Sequence, residues 1–136
     1  MGLSMAKNVT ALSAGQVIRD LLIGTPPIKR QVTAVFPVVT AEATLPYIAF
    51  RRSRLTPRSS SSGGSSVSAD TVELELAVYS QEYAEGLKIA ELVRDTLDNK
   101  QVSSADLTMR SCVLTDAAES FDGDAYIQQL TFTIKI

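Results

Sequence analysis

The residue types that carry most nucleophilic and metal chemistry are scarce in this sequence. It contains no histidine and a single cysteine, Cys112. Ser-His and Cys-His nucleophilic pairs and histidine metal sites are therefore excluded. Cys112 falls in an expected strand with no neighbour that would activate a thiol, so it reads as a packing residue. No Gly-x-Gly-x-x-Gly run and no phosphate loop with its lysine is present. Gly63-Gly64 lies in a serine tract, not ahead of a helix. The densest carboxylates are Asp116, Glu119, Asp122 and Asp124. Hard cations favour such oxygens, but the spacing is not that of the calcium helix-loop-helix motif, and the segment reads as a solvated acidic turn. Glu73 and Glu75 share one strand face, where paired carboxylates can do acid-base work. Nothing around them points to a substrate pocket, so a solvent-facing or interface-facing pair is the better reading. The expectation is a protein with no catalytic residues, no metal and no cofactor.

Charge is the more informative signal. The net charge is -2, yet the charges are segregated. From Lys29 to Arg58 there are six basic residues and one acid, Glu42. From Asp70 to Asp98 there are eight acids against Lys88 and Arg94. Such a chain can present two complementary patches. Arg51, Arg52 and Arg54, with Arg58 beyond them, lead into a polar loop. Three readings stay open for them: an acidic protein partner, which we favour, a solubilising strand end, or DNA phosphate. No aromatic residues are interleaved, so base stacking is not indicated.

The elements that position these groups follow from periodicity. The length of 136 residues and the hydrophobic share of 45% fit one globular domain with its own core over residues 1–136. No apolar run approaches the roughly 20 residues that cross a bilayer. Met1 to Thr10 lack a signal-peptide pattern, so a soluble protein made in a cytoplasm is expected. Ser13 and Gln16 have capping-box spacing ahead of a helix with Val17, Ile18, Leu21 and Leu22, stopped at Gly24 and Pro26-Pro27. Strands are expected over 28–39, 45–55, 70–80, 107–114 and 125–136. Residues 57–68 form a Ser/Gly-rich loop that we expect to be mobile. A second helix over 81–99, capped by Ser80, presents Tyr83, Leu87, Ala90, Val93 and Leu97 on one face, with Gly86 permitting a close approach. Leu92 falls on the opposite face as a possible contact. The predicted core adds Phe50, Leu74, Leu76, Val78, Leu130, Phe132 and Ile134 to Val17, Leu21, Leu87, Ala90, Val93 and Leu97. The fold class is α+β: an antiparallel-rich sheet of about five strands in the order αβββαββ, with both helices on one face.

Three stretches carry a resemblance. Leu45-Pro46-Tyr47-Ile48-Ala49-Phe50, the segment from Val78 to Leu97, and Leu114-Thr115-Asp116 with Tyr126 to Ile136 together resemble the tail terminator, or tail completion, proteins of long-tailed bacteriophages and prophages. The resemblance covers nearly the whole chain in order, and the serine-rich loop departs from it. It implies a ring, commonly a hexamer, that caps the tail tube, stops its growth and meets the head connector. The implied partners are the protein itself, the tail tube protein and the connector protein, with DNA passing through the ring without sequence-specific binding and no membrane involved. The implied location is the head-proximal end of the virion tail, after assembly in the host cytoplasm. Rival readings are a stand-alone α+β ligand-binding or regulatory domain and another small head-tail connector. Arg51, Arg52, Arg54, Arg58, Glu73, Glu75, Glu82, Glu85, Glu91 and Leu92 are the candidate interface residues.

Overall fold

Alternation of apolar and polar residues along Thr71–Ser80 builds the central strand of the molecule. A computed structural model describes residues 10–38, 43–58, 70–103 and 107–136. Val72, Leu74, Leu76 and Val78 are fully buried, while the residues between them are half-buried on the opposite face. This strand, β3, is flanked by β2 (Tyr47–Thr56) and β7 (Ala125–Lys135), both antiparallel to it. Outside them lie β1 (Val35–Pro37), parallel to β2, and β6 (Ser111–Asp122), antiparallel to β7. The five-stranded sheet is therefore mixed, in the order β1-β2-β3-β7-β6. A separate two-stranded ladder joins β4 (Val102–Ser103) to β5 (Thr108–Met109).

Helix α1 (Ala14–Ile23) packs on β1 and β2, and α3 (Tyr83–Leu97) packs on β3, β7 and β6. Between them lies the single turn α2 (Pro26–Lys29), in contact with both helices. The buried side chains form one cluster joining these helices to the inner face of the sheet. Burying this face supplies most of the stabilisation, at about 25 cal/mol per Å² of apolar surface.

Several local expectations need correction. The Ser13/Gln16 capping box does not form. A single 3-10 turn over Ala11–Ser13 precedes α1, so the free N–H groups move upstream, where Thr10 Oγ1 accepts from Leu12 N at 3.3 Å. Gln16 Nε2 instead donates to Asp20 Oδ1 at 3.1 Å. In α1 the buried stripe is Ala14, Ile18 and Leu22; Val17 and Leu21 are its half-buried flanks. Pro26-Pro27, expected only to stop the first helix, starts a helical turn that takes in Ile28 and Lys29, where the first strand was expected to begin; the strand there is only Val35–Pro37. A proline at the first helical position has its φ preset and gives up only an N–H that would be unpaired anyway.

In α3 the buried stripe runs through Gly86, Ile89, Ala90, Val93 and Leu97, whereas Tyr83 and Leu87 are exposed. Gly86 causes the rotation. A Cβ there would collide with Ser80 Oγ, so the bare backbone lets the helix drop onto β3 and turns its neighbours outward. Ser80 is not the cap: Glu82 holds that position, and buried Ser80 donates from Oγ to Glu82 O at 2.8 Å. Leu92, expected to be exposed, is half-buried against the core, because packing widens the apolar stripe of α3 beyond one face.

The segment from Asp116 to Asp124 is mostly strand. β6 runs to Asp122, and the turn is only Gly123 and Asp124, with φ of 56° and 71°. Asp122 and Ala125 are register partners across it. Two successive positive φ values give the tight turn that suits the twist of a hairpin. Of the serine tract expected as a mobile loop, residues 59–68 lie outside the described residues. The chain on either side of it pairs as a β2-β3 hairpin.

Candidate functional site

Among the described residues each border of the sheet is open over part of its length, and the two borders differ in charge. On one side β1 pairs with β2 only from Ile48 to Phe50. Val38 follows at φ 61°, and its N–H donates to Phe50 O. A β-branched residue in this conformation is uncommon and marks an enforced turn. Beyond it, among the described residues, β2 is itself the edge strand from Arg51 to Thr56, with Arg51, Arg52 and Arg54 all exposed. A bulge at Ser53 shifts its register against β3 between Arg52 and Arg54. Bulges at sheet edges increase local twist and re-aim side chains.

These arginines are partly held by their own chain. Arg51 Nε donates to Glu75 Oε1 at 3.0 Å, and Gln129 Nε2 donates to the same oxygen at 3.1 Å. Arg52 Nη1 donates to Leu12 O at 3.0 Å. Arg54 lies opposite Glu73 in the register. The Arg58 backbone N–H donates to Asp70 Oδ1 at 2.6 Å. Glu73 and Glu75 thus lie beside the arginines within one subunit, on the sheet face that carries no helix. Glu82, Glu85 and Glu91 belong to a different surface, that of α3 and its N-cap, with Glu82 and Glu91 exposed and Glu85 half-buried. The structure therefore brings Arg51, Arg54, Glu73 and Glu75 together and leaves the α3 acids apart from them.

Sequence reasoning missed the opposite border. From Ser111 to Asp124 the chain holds four acids and no basic residue. The first half of β6 is capped: Asn99 N donates to Cys112 O at 2.7 Å, and Leu114 N donates to Asp98 Oδ1 at 2.8 Å. From Thr115 to Asp122 every residue is exposed. An aromatic group braces the far end, where Phe121 and Tyr83 meet Tyr126 with centroids 4.8 and 5.7 Å apart. Glu119 accepts from Tyr83 Oη and from Gln128 Nε2, each at 2.9 Å. These bonds favour the carboxylate, so the Glu119 pKa lies below its ordinary value, with Gln128 the larger cause. The same carboxylate holds the Tyr83 pKa above normal. Gly123-Asp124 was the available signal for a hairpin tip here.

Cys112 lies fully buried under α3, and burial pushes its thiol up to about 12, with the Asp98 charge adding to the shift. A thiol in that state is a packing group. The grooves at the surface are open: one is lined by Leu12, Gly15, Val38 and Phe50 beside Arg52, another by Leu87, Leu114 and Leu130 beside α3. Among the described residues no three metal-capable side chains gather.

The chain matches the family described as "Tail completion protein gp17" over residues 16–136. It belongs to that family. Tail completion proteins are structural parts of phage tails, and this chain is one of them. No curated protein matches it closely enough to count as a relative. Among solved structures it is similar to a chain of the "Virion of native gene transfer agent (GTA) particle", at a TM-score of 0.69 and 14% identity over 93% of this chain and 98% of that one. At that identity the likeness speaks for the fold.

Proposed function

We propose that this tail completion protein acts as a single domain that assembles into a ring, a hexamer, at the head-proximal end of the tail tube. The ring stops tube polymerisation and offers its other face to the head connector. The match to the family over residues 16–136 carries this reading. Two sheet borders of different charge, each partly open among the described residues, support it, because a closed ring of identical copies needs two different patches per copy. The basic end of β2, with Arg51, Arg52, Arg54 and Arg58, is the proposed contact with the next copy, oriented from behind by Glu73 and Glu75. Glu82, Glu85, Glu91 and the half-buried Leu92 on α3 are proposed as a surface for a neighbouring copy, the tube or the connector. DNA passes through the ring without sequence-specific contacts. Light scattering tests the ring directly: the reading expects a species of six times the 14.6 kDa chain mass. A monomer at every concentration, alone and with tail tube ends added, overturns it.

A further inference from the structure

We infer that residues 1–9 of a neighbouring copy dock as a strand on the free edge of β6, Thr115 to Asp122, and into the groove between that edge and α3. The inference rests on the ring reading and names a contact that closes the ring. An exposed strand edge presents unpaired N–H and C=O groups and is a template for another strand unless it is covered or blunted. Among the described residues the α3 terminus caps β6 only up to Leu114. Beyond that point the bond found on the edge is a local one, from Ala117 N to the Asp116 carboxylate. Beside the edge runs a groove whose apolar lining is Leu87, Leu114, Ala117 and Leu130. Tyr83 and Phe121 extend the apolar surface past it, 43% and 59% exposed.

Three observations select this occupant. The first is pattern. In residues 1–9, which lie outside the described residues, Met1, Leu3, Met5, Lys7 and Val9 alternate with Gly2, Ser4, Ala6 and Asn8. Paired as a strand, the segment offers one apolar face interrupted by a single lysine. On β6, Ala117, Glu119 and Phe121 face the helix side, toward Leu87, Tyr83 and Tyr126. They form an apolar row interrupted by a single carboxylate. The second is charge: the β6 hairpin brings four acids and no base from Ser111 to Asp124, and residues 1–9 bring Lys7 and no acid. Opposite charges across a contact fix its register. The third is level. Across the sheet the register runs Phe50-Leu76-Leu130-Ala117 and Arg52-Leu74-Phe132-Leu114. Leu12 shares a groove with Phe50 and Leu74 and accepts from Arg52 Nη1 at 3.0 Å. The chain therefore enters from residues 1–9 at the β2 border, level with Leu114 and Ala117 at the β6 border. A copy related by rotation about an axis along the strands keeps that level. Its Val9 then falls beside Ala117, its Lys7 beside Glu119 and its Met5 beside Phe121, antiparallel to β6. Within one chain the two borders stand three strand spacings apart, about 14 Å, and one residue spans only about 3.8 Å. This register therefore needs a second copy.

The test reads assembly, with tail tube ends present, for Lys7→Glu, for Glu119→Lys and for both changes in one chain. Each single variant is expected to need about tenfold more protein for half-assembly, or to stay monomeric. The double variant is expected to recover, because every contact again pairs opposite charges. If the wild type never assembles, the ring reading fails and the inference with it. If the wild type assembles and both single variants match it, the ring stands and this contact is wrong. The same holds if folded single variants are defective and the double variant is no better. A second measurement covers the case in which Glu119→Lys unfolds the chain. Val9→Cys and Ala117→Cys are placed in separate chains and mixed; the native Cys112 is buried and does not compete. Oxidation is expected to give a disulfide heterodimer from the mixture, and a ladder beyond dimer from chains that carry both changes. Disulfides confined to single chains would place residues 1–9 on their own subunit. Assembled protein with no disulfide would leave β6 to another occupant. Either result overturns the inference.

Discussion

Replacing Gly86 by alanine sets two known effects against each other. In an exposed helix the change stabilises by about 1 kcal/mol, because alanine is the better helix former. Here the new Cβ lands against Ser80 Oγ, with Ser80 Cβ at 3.3 Å and Gln128 Cγ at 3.9 Å behind it. Ser80 is fully buried and its hydroxyl is engaged with Glu82 O at 2.8 Å, so it has no free direction to move. Overpacking a filled site costs about 1–3 kcal/mol. Loss of the hydroxyl's bond adds about 1 kcal/mol. The expected net effect of Gly86→Ala is a destabilisation of about 1–3 kcal/mol in urea unfolding, despite the helix gain. In a Ser80→Ala background the hydroxyl is gone, and the same change is expected to cost about 1 kcal/mol or less. The double-mutant cycle thus carries a coupling of about 1–2 kcal/mol. Stabilisation by Gly86→Ala in the wild-type background would refute the close approach of α3 to β3, and with it the reason given for the outward turn of Tyr83 and Leu87.

Three further outcomes are expected. Leu76→Ala, at a fully buried position in the central strand, costs about 2–5 kcal/mol in chemical denaturation, and a near-neutral result means the register of β3 is wrong. Cys112 resists thiol reagents in the folded state, and stability falls as pH rises from about 9 toward 12, by up to about 1.4 kcal/mol per pH unit. The sign follows from a raised folded pKa: the folded thiol keeps its proton where the unfolded one loses it. Cys112→Ala removes that slope, and an unchanged slope shows that other groups cause it. A double-mutant cycle on Arg51 and Glu75 yields about 1 kcal/mol or less that fades with salt, since Arg51 is 55% exposed. A large, salt-independent coupling contradicts the exposed geometry.

How far the sequence reaches depends on whether a local pattern or a tertiary one decides. The alternation in β3 and β7 placed Leu74, Leu76, Val78, Leu130, Phe132 and Ile134 inside, and they are there. A one-residue slip would bury Glu73 and Glu75, so the pattern admits one register. The mixture of α+β elements was legible for the same reason, and the family through the resemblance of three stretches in order along the chain. Ile28 was misread because a β-branched residue beside prolines fits both a strand and a helical first turn. Leu87 was misplaced because helical spacing leaves a flank ambiguous, and only the contact of Gly86 with Ser80 settles the rotation. β6 was cut short because Asp116 to Asp124 is rich in acids and poor in strand formers. Pairing with β7 overrides that composition. The arginines on β2 stood out at once. Their acidic counterpart on β6 did not, because strand order, not sequence distance, makes both of them borders of one sheet.

The most direct test of the account is tail tube growth followed by electron microscopy, with the protein added to a polymerising tube protein from the same phage-type particle. The account predicts tubes with a ring of density at one end and no elongation at that end when more tube protein is supplied. Tubes that bind the protein nowhere and lengthen equally with or without it would contradict the claim that this chain completes the tail.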